Sequence, residues 1–181
     1  NWKALHYTAQ DVFAPISLSL SIDEYGSINL WIMSELDSVF TDTLMVQLYD
    51  MKGTEPWLMY EEEIKVNPGA HLLKGGMNQY KQGQFMICEL KNKRVKSKTL
   101  FTSRAKEIRF KQPSIQSKWK GDSLILSADI PAFHIYLHGM EGHFSDNFFT
   151  LWPGEEKVIT YNGKQSDRNN LIIWSFADLN E

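Results

Sequence analysis

The side chains in this sequence with the most chemical reach are indoles. Trp57, Trp119 and Trp152 stand beside turn-forming residues, where an aromatic ring can lie open to solvent. A sugar presents apolar C–H faces, and a flat indole offers a partner of matching polarity. These three are therefore the candidate sugar-facing residues; packing at a domain junction is the other use of the same side chains. Trp31 and Trp174 sit inside apolar runs and are expected in the core.

Other groups are weaker candidates. Glu61-Glu62-Glu63 reads as part of a strand, where adjacent side chains point to opposite faces and cannot act as a facing acid–base pair. Their expected role is a solvated charged edge that discourages sheet-to-sheet association. His138 and His143 bracket a glycine-rich turn, with His134 nearby. No cysteine or carboxylate stands at familiar ligand spacing, and a structural zinc usually takes four such groups, so no metal and no cofactor is assigned. Residues 91–111 carry a net +8 against −11 for the remainder. Such a patch can meet phosphates or an acidic glycan. Val95, Leu100, Phe101, Ile108 and Phe110 interleave it as expected of strands and a link, so solvated faces paired with acidic residues are expected instead of a nucleic-acid partner. Cys88, the only cysteine, is flanked by Phe85, Ile87 and Leu90 and reads as a buried, inert thiol.

The elements that must position these residues are mostly strands. Ile16, Leu18, Leu20 and Ile22 alternate with serines; Ile28, Leu30 and Ile32 alternate again, with Trp31 and Met33 on the opposite face; Leu44, Val46 and Leu48 make a third strand. Further strands are expected over 57–66, 84–90 and 98–101, then over 107–110, 115–119, 123–128, 133–137, 148–151, 157–161 and 171–176. Asn67-Pro68-Gly69, Lys74-Gly75-Gly76, Gly139 to Gly142 and Pro153-Gly154 read as turns or loops. Asn162-Gly163 fits a tight type I′ turn. So many short strands exceed one immunoglobulin-type sandwich of about seven to nine. The expected fold is all-β: two tandem immunoglobulin-like β-sandwiches at 13–105 and 106–181, preceded by a helix within 1–12. That helix carries Trp2, Leu5, His6 and Ala9 at helical spacing, continuing toward Phe13. With strands behind it and no initiator Met ahead, this stripe is expected to have packed against an upstream domain of a larger protein.

Composition agrees with a folded part. The chain has 181 residues, 43% hydrophobic and 13% aromatic, which excludes disorder, and a net charge of −3. No apolar run approaches the roughly 18 residues needed to span a bilayer, so no membrane partner is expected. One cysteine leaves the compartment open.

The run Phe144-Ser145-Asp146-Asn147-Phe148-Phe149-Thr150-Leu151-Trp152-Pro153-Gly154-Glu155 resembles the C-terminal immunoglobulin-like domain of family-two β-mannosidases. Trp2-Lys3-Ala4-Leu5-His6-Tyr7, with Phe13-Ala14-Pro15 behind it, is similar to that family's exit from its catalytic (β/α)8 barrel. Asp146 and Asn147 are turn formers that can fix the register of an aromatic strand, and ligand contact is their alternative role. The resemblance implies a non-catalytic C-terminal region of a retaining exo-glycosidase that removes terminal β-D-mannose without a cofactor. The two catalytic glutamates would belong to the barrel, so no catalytic residue is assigned in this chain. Its partner would be the upstream barrel of the same polypeptide, which it would buttress, and carbohydrate substrate would be met only through that parent. A bacterial glycan-degrading parent would favour the periplasm or secretion. An autonomous carbohydrate-binding or adhesion module is the competing reading.

Overall fold

A computed structural model of the protein describes residues 4–51, 57–92, 95–104 and 107–180. It is an all-β fold of antiparallel sheets with one short N-terminal helix, α1 (Ala4–Val12). No described helix is long and apolar enough to cross a membrane. The chain divides into two compact units, residues 10–108 and residues 109–181 together with 1–9.

The first unit contains β1 (Ile16–Ile22), β2 (Ile28–Ser34), β3 (Phe40–Asp50), β4 (Trp57–Val66), β5 (Gly69–Met77), β6 (Gln84–Leu90) and β7 (Lys98–Phe101). They form a three-stranded sheet, β1-β2-β5, and a four-stranded sheet, β4-β3-β6-β7. Alternation explains the core directly. Every second residue of β2 (Ile28, Leu30, Ile32) and of β3 (Leu44, Val46, Leu48) is buried, and these meet Ile16, Leu18, Met86, Cys88 and Leu90. Burying each such aliphatic side chain is worth about 2 kcal/mol. Asp42 occupies one of the inward positions of β3, where its carboxylate accepts hydrogen bonds from the Thr43 N–H and from the backbone and side chain of Asn92 (2.7, 3.3 and 3.0 Å). It thereby ties the turn after β6 to β3.

The second unit contains β8 (Ile115–Lys120), β9 (Ser123–Ala128), β10 (Ala132–His138), β11 (Gly142–Phe144), β12 (Phe149–Leu151), β13 (Lys157–Gly163) and β14 (Ile172–Trp174). Short 3-10 helices cover Gln165–Asn170 and Phe176–Asn180. The sheets are β11-β13-β9-β8 and β12-β10-β14, closed over Leu124, Leu126, Ile135, Leu151 and Ile159. In α1, Tyr7 is 3% exposed and donates its hydroxyl to the Phe144 carbonyl at 3.0 Å.

Several elements depart from the sequence expectation, each for a local reason. β5 lies where glycine-rich loops were expected; it pairs along β2 through two register shifts, and Gly69 (φ +108°) and Gly76 (φ +71°) supply backbone angles other residues avoid. Gly142 opens β11 instead of closing a turn, and Asn162-Gly163 continues β13 opposite His143 and Gly142. Residues 108–110 belong to no strand, because a turn from Glu107 N–H to the Arg104 carbonyl (2.8 Å) precedes them. Of the helical stripe, Trp2 lies outside the described residues and Leu5 and Phe13 are 75% and 78% exposed, while Tyr7, which the spacing did not single out, is buried.

Candidate functional site

Trp57 begins β4, and the way that strand pairs explains its exposure. Val46 pairs with Tyr60 but Gln47 pairs with Leu58, so Met59 is an extra residue in β4. A bulge of this kind interrupts alternation and re-aims the side chains beyond it. Trp57 and Leu58 consequently both face solvent, at 58% and 54% exposure. They form one wall of an open depression of about 580 Å³, with Leu48 and Met59 at its apolar side. The rest of its described lining is Asn78, Gln79, Tyr80 and Lys81 of the β5–β6 connection and Gln84 at the start of β6.

That connection is well fastened. The Lys81 N–H donates to Gln84 Oε1 at 2.6 Å, the Thr102 hydroxyl donates to the Lys81 carbonyl at 2.8 Å, and the Tyr80 hydroxyl donates to the Gly26 carbonyl. Among the described residues the side chains of Asn78, Gln79 and Lys81 have no protein partner. Aromatic surface beside uncommitted amides and one ammonium can hold a polar, ring-shaped ligand. These polar residues were not legible as a site, because they reach Trp57 only through the pairing of separate strands.

The other two tryptophans are differently employed. Trp119 on β8 is partly buried, meets Tyr161 edge-on at 5.9 Å, and carries the Arg168 guanidinium 4.5 Å from its ring centre. Arg168 is itself held by the Gly121 carbonyl (2.7 Å) and Asp122 (3.2 Å), so this indole face is occupied. Trp152 is partly buried and packs edge-on against Phe133 at 5.8 Å. Trp31 and Trp174, expected inside, are 42% and 49% exposed. Trp31 falls on the outward positions of β2 with Met33, since period two places Leu30 and Ile32 inward. Trp174 lies on the outer side of β14, edge-on to His138 at 4.6 Å.

The Asp146-Asn147 corner is built into the backbone. Asn147 is 5% exposed; its carbonyl accepts the Leu137 N–H (2.8 Å) and the Phe148 N–H (3.1 Å), and its amide donates to the Leu137 carbonyl (3.0 Å). Asp146 accepts the Asn147 N–H at 2.9 Å and pairs with Lys157 at 2.8 Å. These bonds hold Phe148 at φ +57°, a costly angle for a residue with a side chain, with its ring stacked 4.9 Å from Tyr136.

The charged groups act locally. Glu61, Glu62 and Glu63 are exposed on β4, an edge of its sheet, with Glu61 near Lys91 (3.4 Å) and Glu62 near Lys74 (3.7 Å). Of the basic run, Lys93, Arg94 and Lys106 lie outside the described residues, while Lys96 and Lys98 approach Asp11 at 2.9 and 3.9 Å. His134 stacks on Phe176 at 4.0 Å and His138 on Tyr136 at 4.7 Å. Among the described residues no three His, Cys, Asp or Glu side chains are grouped to hold a metal ion. Burial pushes the Cys88 thiol up from 9.0 to about 12, the nearby Glu89 carboxylate adding to the effect, so it stays protonated and unreactive near neutrality.

Residues 104–179 match the family model Ig_mannosidase, an Ig-fold domain. Among solved structures, the chain is similar to the β-D-mannosidase from Dictyoglomus thermophilum, with a TM-score of 0.73 and 14% identity over 94% of this chain and 22% of that one. It is also similar to the exo-chitosanase CsxA from Amycolatopsis orientalis, with a TM-score of 0.63 and 13% identity over 95% of this chain and 26% of that one. At such identities the likeness is one of fold. The chain thus spans about a quarter of the length of these enzymes. No curated protein matches it by sequence. The chain therefore shares the fold of a part of these enzymes, and its residues 104–179 match an Ig-fold domain.

Proposed function

We propose that this chain is the non-catalytic accessory region of a retaining exo-glycosidase of the β-mannosidase type, whose complete form removes terminal β-D-mannose. The Ig_mannosidase match over residues 104–179 carries this reading, and the likeness of 94% of the chain to part of a β-D-mannosidase supports it. Its working parts are two sandwich domains at about residues 13–105 and 106–181, with a catalytic barrel of the same polypeptide as the partner. Leu5, Val12 and Phe13, exposed at 75%, 58% and 78%, are the apolar residues assigned to contact with that barrel. The pair of facing carboxylates that a retaining mechanism requires, about 5 Å apart, is assigned to the barrel. Neither nucleic acid nor membrane is assigned as a partner.

The mannosidase reading is tested by assaying the complete polypeptide on 4-nitrophenyl β-D-mannopyranoside and on the corresponding β-D-glucosaminide. Preferential hydrolysis of the mannoside is expected. Preference for the glucosaminide would move the parent toward the exo-chitosanase type.

A further inference from the structure

We propose that the depression at the head of β4 is a carbohydrate-binding subsite for a neutral pyranose oligosaccharide, with one sugar ring stacked on Trp57. Three observations converge there. The Met59 bulge turns the indole outward, leaving it 58% exposed, and no aromatic ring packs on it among the described residues. A tryptophan so placed keeps apolar area in water that the core next to it, around Leu48 and Met59, does not cover. The same lining includes Asn78, Gln79 and Gln84, whose carboxamides both donate and accept, as sugar hydroxyls require. Among the described residues of the lining Lys81 carries the one formal charge, and the other polar groups there are neutral. The mixed lining and open form suit a chain of sugar rings crossing the surface better than an enclosed apolar ligand.

The site lies within the first unit and outside residues 104–179, and its chemistry does not require the proposed mannosidase activity. Hydrolysis by the complete polypeptide and binding by this subsite can therefore fail separately.

The test is an NMR titration of the 181-residue chain with β-1,4-linked mannotetraose and with cellotetraose. Saturable shifts are expected at the backbone amides of 57–59 and 78–84 with at least one of the two. Trp57→Ala should weaken binding about tenfold or more, as truncation of a central aromatic does. Trp57→Phe should retain part of the affinity. Because Trp57 is exposed, an unchanged amide spectrum elsewhere will show that Trp57→Ala folds. Gln79→Ala should weaken binding less, without altering the stacking contact. The absence of saturable shifts with both sugars, shifts confined to other residues, or unchanged affinity in Trp57→Ala would each overturn the proposal.

Discussion

Asn147 shows how one side chain can define a corner. It gives Leu137 both a donor and an acceptor, so it extends the β12 side of β10 beyond the Ile135–Phe149 pair. Asn147→Ala would strand two buried backbone groups, and the expected loss is about 2–4 kcal/mol, read from the denaturant midpoint. A loss within a few tenths would mean that the corner is held by other contacts. Tyr7→Phe keeps the ring but removes the bond to the Phe144 carbonyl, with an expected loss of about 1 kcal/mol. Cys88 gives a pH dependence of known sign. The native thiol keeps its proton up to about pH 12, whereas the unfolded thiol releases it near 9.0. The contribution to stability is thus complete below pH 9.0 and is lost as pH rises toward 12. Cys88→Ala should lessen the alkaline loss of stability, and a thiol reagent at pH 8 should react with the native chain only as fast as it opens. Rapid labelling of the folded chain would contradict the buried thiol.

At the scale of elements, legibility followed the side-chain pattern. β1, β2 and β3 were readable because aliphatic residues recur at every second position along one face, and β6 because five of its seven residues are apolar. β5 was not, since Gly69, Gly75 and Gly76 erase any alternation and its pairing is dictated by β2. Trp31 and Trp174 were misplaced for a related reason: hydrophobicity marks a strand, but only register decides which face a residue occupies. The same limit hid the polar lining that residues 78–84 contribute to a depression whose indole lies twenty residues earlier. The exposed glutamates of β4 have a defined role in this scheme. Replacing Glu61, Glu62 and Glu63 with Thr should raise concentration-dependent association relative to the unchanged chain, seen by light scattering, because an uncharged edge can pair with another. Equal molar masses at all concentrations would show that the charges are dispensable. At the β10–β11 turn, Gly139 has φ +87°, and an added Cβ would lie 2.1 Å from the Asn170 carbonyl oxygen. Gly139→Ala should therefore lower stability by about 2 kcal/mol or more.

For the whole molecule, each unit has its own buried core. The all-β class was legible from many short alternating segments, and the Ig-fold family from the Phe144 to Glu155 run. What the sequence left hidden was the bulge at Met59 that accompanies the exposure of Trp57, and the outward placement of Trp31 and Trp174. Under the proposed function, this chain supports and a barrel of the same polypeptide cleaves. The most direct measurement is turnover of 4-nitrophenyl β-D-mannopyranoside by the 181-residue chain and by the complete polypeptide, side by side. Nitrophenol release by the complete polypeptide and none by the chain is the predicted result; sustained turnover by the chain itself would contradict it.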